Sequence, residues 1–280
     1  MFKRRFTRCL DVVQIQEIIE QGVTLPVRCM LNENIKAIVK YQRNRCGTNV
    51  LINEWVGNSI ADLIGLTIPR YGLCNISETV IRETNENEEI DIANCGTAFF
   101  SETLTNSAPI TRKALSEADN KETERLLLFD HLIKNEDRHK GNFLQKVAAH
   151  KIVYFIDCSH FLTKNGDLNT PIDIEKETSE ENILDPRLLS APGENWYDIF
   201  CLNMGYREDI LMKEAEKIKH VLSPGTLDMI KQSVPKEWIT EESGERVENM
   251  FLILRKRLEM IDKIAEMILK ERRKQPWKSY

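Results

Sequence analysis

The sequence has no C-x-x-C pair: its seven cysteines, Cys9, Cys29, Cys46, Cys74, Cys95, Cys158 and Cys201, stand singly along 280 residues. That spacing suits neither a zinc site nor a compact disulfide framework, and it fits a reducing cytoplasm. No stretch approaches the about 20 apolar residues that span a bilayer. The basic N-terminus, MFKRRFTRCLDVVQ, meets polar positions before an apolar run can develop, so a soluble, unexported chain is expected. There is no excess of positive charge either. With 39 Lys and Arg against 44 Asp and Glu, the net charge of −5 gives no global attraction to nucleic-acid phosphates. No internal repeat is present. The 41% of hydrophobic residues is enough to build a sizeable core, in one large domain or two fused lobes.

Strand and helix signals separate along the chain. The runs PVRCML and KAIVKY flank Asn32-Glu33-Asn34, a turn-forming interruption that predicts a hairpin. From Val50 to Leu63 the apolar residues recur at helical spacing, and Gly65 and Pro69 mark the stop. Strands are expected near Tyr71–Ile81 and Asp91–Phe100. A helix is expected over Lys121–Lys134, with Glu in its first turn and Lys in its last, and then a strand, KIVYFID, ending at Asp157. The acidic stretch Asn165–Asn182 reads as a mobile surface loop. Beyond Asp185, helices are expected around Arg207–Val221, Thr226–Gln232 and Gly244–Glu271, separated by Pro224-Gly225 and Pro235. Strands first and helices later predict an α+β fold of two lobes, a small β-rich lobe over residues 1–104 and a larger helical lobe over residues 105–280, rather than alternating βαβ units.

The chemistry concentrates in HLIKNEDRHKGNFLQ and the strand that follows it. Asp137 and Asn142 bracket a short loop after a helix, and Asp157 ends a strand about one hairpin later, so all three can converge on one cleft edge. A nucleotide triphosphate needs Mg²⁺, a hard ion preferring carboxylate and amide oxygens, and a separate carboxylate to orient the attacking hydroxyl. D-x-x-x-x-N followed by a strand-terminal Asp is the arrangement of the kinase catalytic loop and its metal-binding Asp. In that arrangement Asp137 takes the hydroxyl, and Asn142 and Asp157 hold the metal. Taken alone, D-R-H suits equally a solvated loop with a local Asp137–Arg138 ion pair.

NEDRHKGN resembles the catalytic loop of HipA-like kinases, and the D-R-H-x-x-N within it is similar to that of phosphatidylinositol 3- and 4-kinases. The resemblance implies a two-lobed kinase-type fold using ATP and Mg²⁺. It also implies a short form, without room for the additional N-terminal subdomain of HipA toxins. Lys40, ending the strand IKAIVK, is then the residue aimed at the α- and β-phosphates, and Glu54 on the next helix its partner, with the pair able to be open when no nucleotide is bound. The turn Gln21–Pro26 sits where HipA-like proteins place their phosphate-covering loop, which makes Gly22 and Thr24 candidate nucleotide contacts. No serine stands there, so self-inactivation by phosphorylation of that loop is not expected.

The sequence departs from ordinary protein kinases in lacking G-x-G-x-x-G and in carrying Asp-Cys-Ser, not Asp-Phe-Gly, at 157–159. Arg43, Arg45 and Gly47 form a basic loop that reads as solvated. His139 is expected to pack or hydrogen-bond beneath the catalytic loop, and His131 and His160, without metal spacing, read as structural. The expected acceptor is a serine or threonine of a protein substrate, in a toxin-like or stress-regulatory role with a possible antitoxin partner. A small-molecule or lipid kinase and a nucleotide-binding pseudokinase are the alternatives. No membrane or nucleic-acid partner is indicated.

Overall fold

The first strand is β1 (Leu10–Ile18), whose buried positions are Leu10, Val12 and Ile15. Its pairing with β2 (Val27–Leu31) slips between Val12 and Gln14 and again between Ile15 and Glu17. Such irregularities add a residue to one strand and break the period of two, which is why the sequence pattern does not mark this strand. The structure is a computed structural model, and it describes residues 1–20, 24–42, 47–84, 90–111, 114, 118–146, 149–162, 172–189 and 208–274.

The expected hairpin is present. β2 pairs antiparallel with β3 (Ile35–Lys40), and Glu33 and Asn34 turn the chain at φ of 63° and 58°. β4 (Tyr71–Ile76) and β5 (Gly96–Glu102) complete a closed barrel of order β1-β2-β3-β5-β4, with a parallel β1–β4 pair as the seam. Both of these strands are shorter than expected. Residues 78–84 form a helix, and Asp91 caps the turn Ile92–Asn94 by accepting from the Ala93 N–H. Val12, Cys29, Leu31, Val39, Cys74 and Phe100 are among the residues filling the barrel.

Helix α1 (Gly47–Ile64) follows the hairpin, and α2 (Glu78–Thr84) follows β4. α1 is buried almost all round, with Asn53, Glu54, Asn58, Ser59 and Asp62 inside as well as its apolar residues. A helix buried on every side lies between two layers. α1 lies between the barrel and the helical half, and its apolar residues belong to the core of the latter.

A small antiparallel sheet, β6 (Ser107–Pro109), β7 (Phe143–Lys146) and β8 (Ala149–Phe155), frames α3 (Asn120–Ile133) in sequence. Asp119 caps α3 by accepting from the Lys121 and Glu122 N–H groups. Within the expected mobile loop, the structure places α4 (Ile174–Thr178) and α5 (Glu180–Ile183), capped by Asp173 and Ser179. The residue types that read as turn formers there are acting as N-caps. The helical half continues with α6 (Glu208–Val221) and α7 (Pro224–Gln232). The single helix expected to follow is two, α8 (Glu241–Glu259) and α9 (Ile261–Lys274), broken at Met260 with no Pro or Gly to announce the break. Among the described residues no helix is long and apolar enough to cross a membrane.

Candidate active site

The loop after α3 begins with a left-handed C-cap, Lys134 at φ 51°, and is held from inside. Asp130, in the last turn of α3 and fully buried, accepts from Arg138 Nε at 2.9 Å and Nη2 at 2.7 Å, and from Asn135 Nδ2 at 3.2 Å. The third guanidinium nitrogen, Nη1, donates to the Ile156 carbonyl at 2.8 Å. Arg138 is therefore turned inward as a staple between the loop and the end of β8, in place of the solvated loop considered above. This leaves its neighbour Asp137 facing outward, with 42% of its side chain exposed.

The β7–β8 hairpin brings Asn142 and Asp157 to one edge. Phe143 pairs with Phe155, and the Ile156 N–H donates to the Asn142 carbonyl at 3.1 Å. Asn142 Nδ2 donates to the Asp137 carbonyl at 2.8 Å, which turns its amide oxygen the other way. Asp157 sits at φ 65°, a left-handed conformation that Asp and Asn adopt more readily than other non-Gly residues. Its Oδ1 accepts from the Ser159 N–H at 3.0 Å and from the Ser159 hydroxyl.

Lys40 reaches this edge from the barrel. Its Nζ lies 2.5 Å from Glu54 Oε1 and 3.3 Å from Asp157 Oδ1. Glu54 Oε2 accepts from Asn58 Nδ2 at 2.9 Å. α1 is joined to the Asp157 loop a second time, by Asn53 Nδ2 donating to the Ser159 carbonyl at 2.6 Å. Gly57 allows the close approach, since a Cβ there would lie 2.5 Å from Cys158 Cβ. In the position held by the Phe of Asp-Phe-Gly, a small Cys158 is thus seated against a glycine.

Two carboxylates share one ammonium, and their titrations separate. Burial raises Glu54 to about 7, with Lys40 opposing the rise and Asp157 adding to it. Burial also pushes Asp157 up, but Lys40 and the Ser159 donors outweigh it and hold Asp157 well below the usual carboxylate range. Burial disfavours the Lys40 ammonium, and the Asp157 and Glu54 carboxylates override it, so Lys40 stays charged.

Of the residues singled out from the sequence, Lys40, Glu54 and Asp157 are thus in mutual contact, and Asp137 and Asn142 are joined to each other. Thr24 is buried at the end of the β1–β2 connection, with no hydrogen bond to this cluster among the described residues. Gly22, Arg43 and Arg45 lie outside the described residues. Gly47 opens α1 at φ 63°. His139 is half exposed and not beneath the loop; its Nδ1 accepts from the Gly141 N–H at 3.0 Å. Sequence reasoning missed Asp130, Asn53 and Gly57, whose partners are distant in sequence or spaced to no known motif. It also set aside His160, whose place three residues after Asp157 was the available signal.

Asp157 and the Asn142 amide are oxygen donors of the kind Mg²⁺ takes, and 35% of the Asp157 side chain is open to the cleft. Among the described residues no three His, Cys, Asp or Glu side chains are grouped to hold a metal ion.

A strand barrel carrying a buried Lys–Glu pair, set on a helical half with D-x-x-x-x-N and a strand-end Asp, is the layout of a kinase, a phosphotransferase. The chain belongs to the HipA-like kinase family, which matches residues 12–169. Its fold is similar to the crystal structure of CtkA, a proinflammatory kinase of Helicobacter pylori, at a TM-score of 0.53 and 16% identity over 94% of this chain and 99% of that one. It is also similar to the Golgi casein kinase, at a TM-score of 0.50 and 11% identity over 93% of this chain and 74% of that one. No curated protein matches the sequence significantly.

Proposed function

We propose that the chain transfers the γ-phosphoryl group of ATP to a hydroxyl, that of a serine or threonine in a protein, with Mg²⁺ as cofactor. The observation that carries the reading is Lys40 held between Glu54 and Asp157 at the edge that also bears Asn142 and Asp137. Asp157 and the Asn142 amide oxygen would hold the ion, whose charge offsets that of the phosphates. Lys40, oriented by Glu54, donates to phosphate oxygens. Asp137 accepts the proton of the acceptor hydroxyl as its oxygen bonds to the γ-phosphorus. The bond from that phosphorus to the bridging oxygen breaks, and ADP leaves with the electron pair.

A protein acceptor is supported by one similar fold, that of a kinase named for casein. The family supports a toxin-like regulatory role with a protein partner in the cytoplasm, and growth arrest on expression of the wild type but not of an Asp137→Asn variant would accord with it.

The test of the chemistry is transfer from [γ-³²P]ATP to casein or to the chain itself. Asp137→Asn keeps the shape and the nucleotide affinity but cannot take the proton, so transfer falls about 10²- to 10⁴-fold. Turnover by the variant at the wild-type rate would remove Asp137 from the role.

A further inference from the structure

Two imidazoles meet the same carboxylate oxygen of Asp137. Nε2 of His160 lies 3.5 Å from Oδ2, and Nε2 of His139 lies 3.8 Å from it. They are not equivalent. The Nδ1 of His139 accepts from the Gly141 N–H, so this ring caps the turn Lys140–Asn142 and stands half in solvent. His160 is only 19% exposed, on a backbone clamped on both sides. Before it, the Ser159 carbonyl accepts from Asn53 of α1 at 2.6 Å. After it, the Phe161 carbonyl accepts from Arg246 of α8 at 3.3 Å, and the Leu162 N–H donates to the Ile133 carbonyl at 3.0 Å. Three separate elements thus fix the segment that aims this ring at Asp137.

We infer that His160 is a positioning residue for phosphoryl transfer: its Nε2–H donates to Asp137 Oδ2 and turns Oδ1 toward the acceptor hydroxyl. The inference rests on the function proposed above. The 3.5 Å contact exceeds the 2.7–3.2 Å of a formed N–H···O bond, and contacts of this kind tighten when the reacting complex assembles. Asp157 and His160 stand on one loop, so the same segment that supplies the metal ligand orients the base. An acceptor is then aligned only when that loop is in register with α1.

The test measures transfer from [γ-³²P]ATP to casein by the full chain, alongside ATP affinity by calorimetry. For His160→Ala, kcat falls about 10- to 100-fold while ATP affinity stays within about twofold. His160→Gln, which restores a donor near the Nε2 position, recovers most of the rate. In an Asp137→Asn background the His160→Ala change adds no further loss, because the group it orients is already disabled. If the alanine variant fails to fold, His160→Phe keeps the ring volume without a nitrogen and must show the same loss of kcat. Wild-type rates in the alanine or phenylalanine variant, a glutamine variant as slow as alanine, or losses that multiply with Asp137→Asn would overturn the inference alone. No transfer by the wild type would overturn the proposed function and the inference with it.

Discussion

Replacing Arg138 with Met keeps the side chain's stem and removes its guanidinium. The pair it forms with Asp130 is among the most enclosed in the molecule, with side-chain exposures of 1% and 0%. After the change, the Asp130 carboxylate remains in the interior without its bidentate partner, and the Ile156 carbonyl loses its donor. Leaving one member of a buried ion pair uncompensated costs about 3–5 kcal/mol. For a chain of 280 residues the unfolding entropy near the midpoint is about 0.6 kcal/mol/K, so Tm falls by about 5–9 °C. Calorimetry of the wild type, Arg138→Met, Asp130→Leu and the double variant reads the loss and its origin. The double variant leaves no stranded charge and must be clearly more stable than the sum of the two single losses implies. A single variant within about 1 kcal/mol of wild type, or additive losses, would refute the view that this pair holds the catalytic loop to β8.

The remaining expectations concern the metal edge, the glycine contact and pH. Asp157→Ala removes the Mg²⁺-dependent part of ATP affinity in calorimetry; equal affinity with and without the carboxylate would dismiss Asp157 as the ligand. Gly57→Ala gains up to about 1 kcal/mol of helix propensity, but the new Cβ meets Cys158 Cβ at 2.5 Å. The clash wins at about 1–3 kcal/mol, and Cys158→Gly in the same chain recovers stability and ATP binding. His131 is buried with neither ring nitrogen partnered among the described residues, and burial with Arg257 nearby lowers it to about 3 from 6.5. The unfolded chain therefore takes up this proton first on acidification, so the stability is full above about pH 6.5 and declines toward pH 3. About 2 kcal/mol is gone by pH 5. A His131→Leu variant should flatten that window in denaturant titrations, and an unchanged slope would assign the acid sensitivity elsewhere.

The parts legible in the sequence were those with local signatures. Asp137 and Asn142 are fixed by a short spacing, Asp157 by the end of an apolar strand, and Lys40 and Glu54 by the order of a strand and a helix. The hairpin about Asn32–Asn34 and the extent of α1 and α3 followed from turn chemistry and periodicity. What was hidden depends on partners far along the chain or on patterns that cancel. β1 lost its alternation to two register slips. Closure of the barrel rests on Leu10 and Asp11 lying parallel to Cys74 and Asn75, which no local rule foretells. Arg138 belongs to Asp130 eight positions back, not to the neighbouring Asp137, because only burial makes a bidentate pair worth forming there.

α1 shows why Lys40 and Glu54 are held together in this fold. Its amphipathicity is weak because every face has a neighbour. Toward the helical half, Trp55 Nε1 donates to Ser233 Oγ at 2.9 Å and its ring meets Trp238 edge-on at 6.4 Å between centroids. Trp238 in turn donates to the Thr97 carbonyl of β5 at 2.9 Å, tying the helical half to the barrel across the helix. At the far end, Asp62 accepts from the Lys3 and Arg4 N–H groups, and Arg5 lies over the Trp55 ring at 4.7 Å. At Gly57 the helix touches the Asp157 loop with no space between. A swing that carried Glu54 away from Lys40 would have to break all of these contacts together and leave the ammonium with Asp157 alone. The Lys40–Glu54 pair is therefore built into the packing of α1 between the barrel and the helical half.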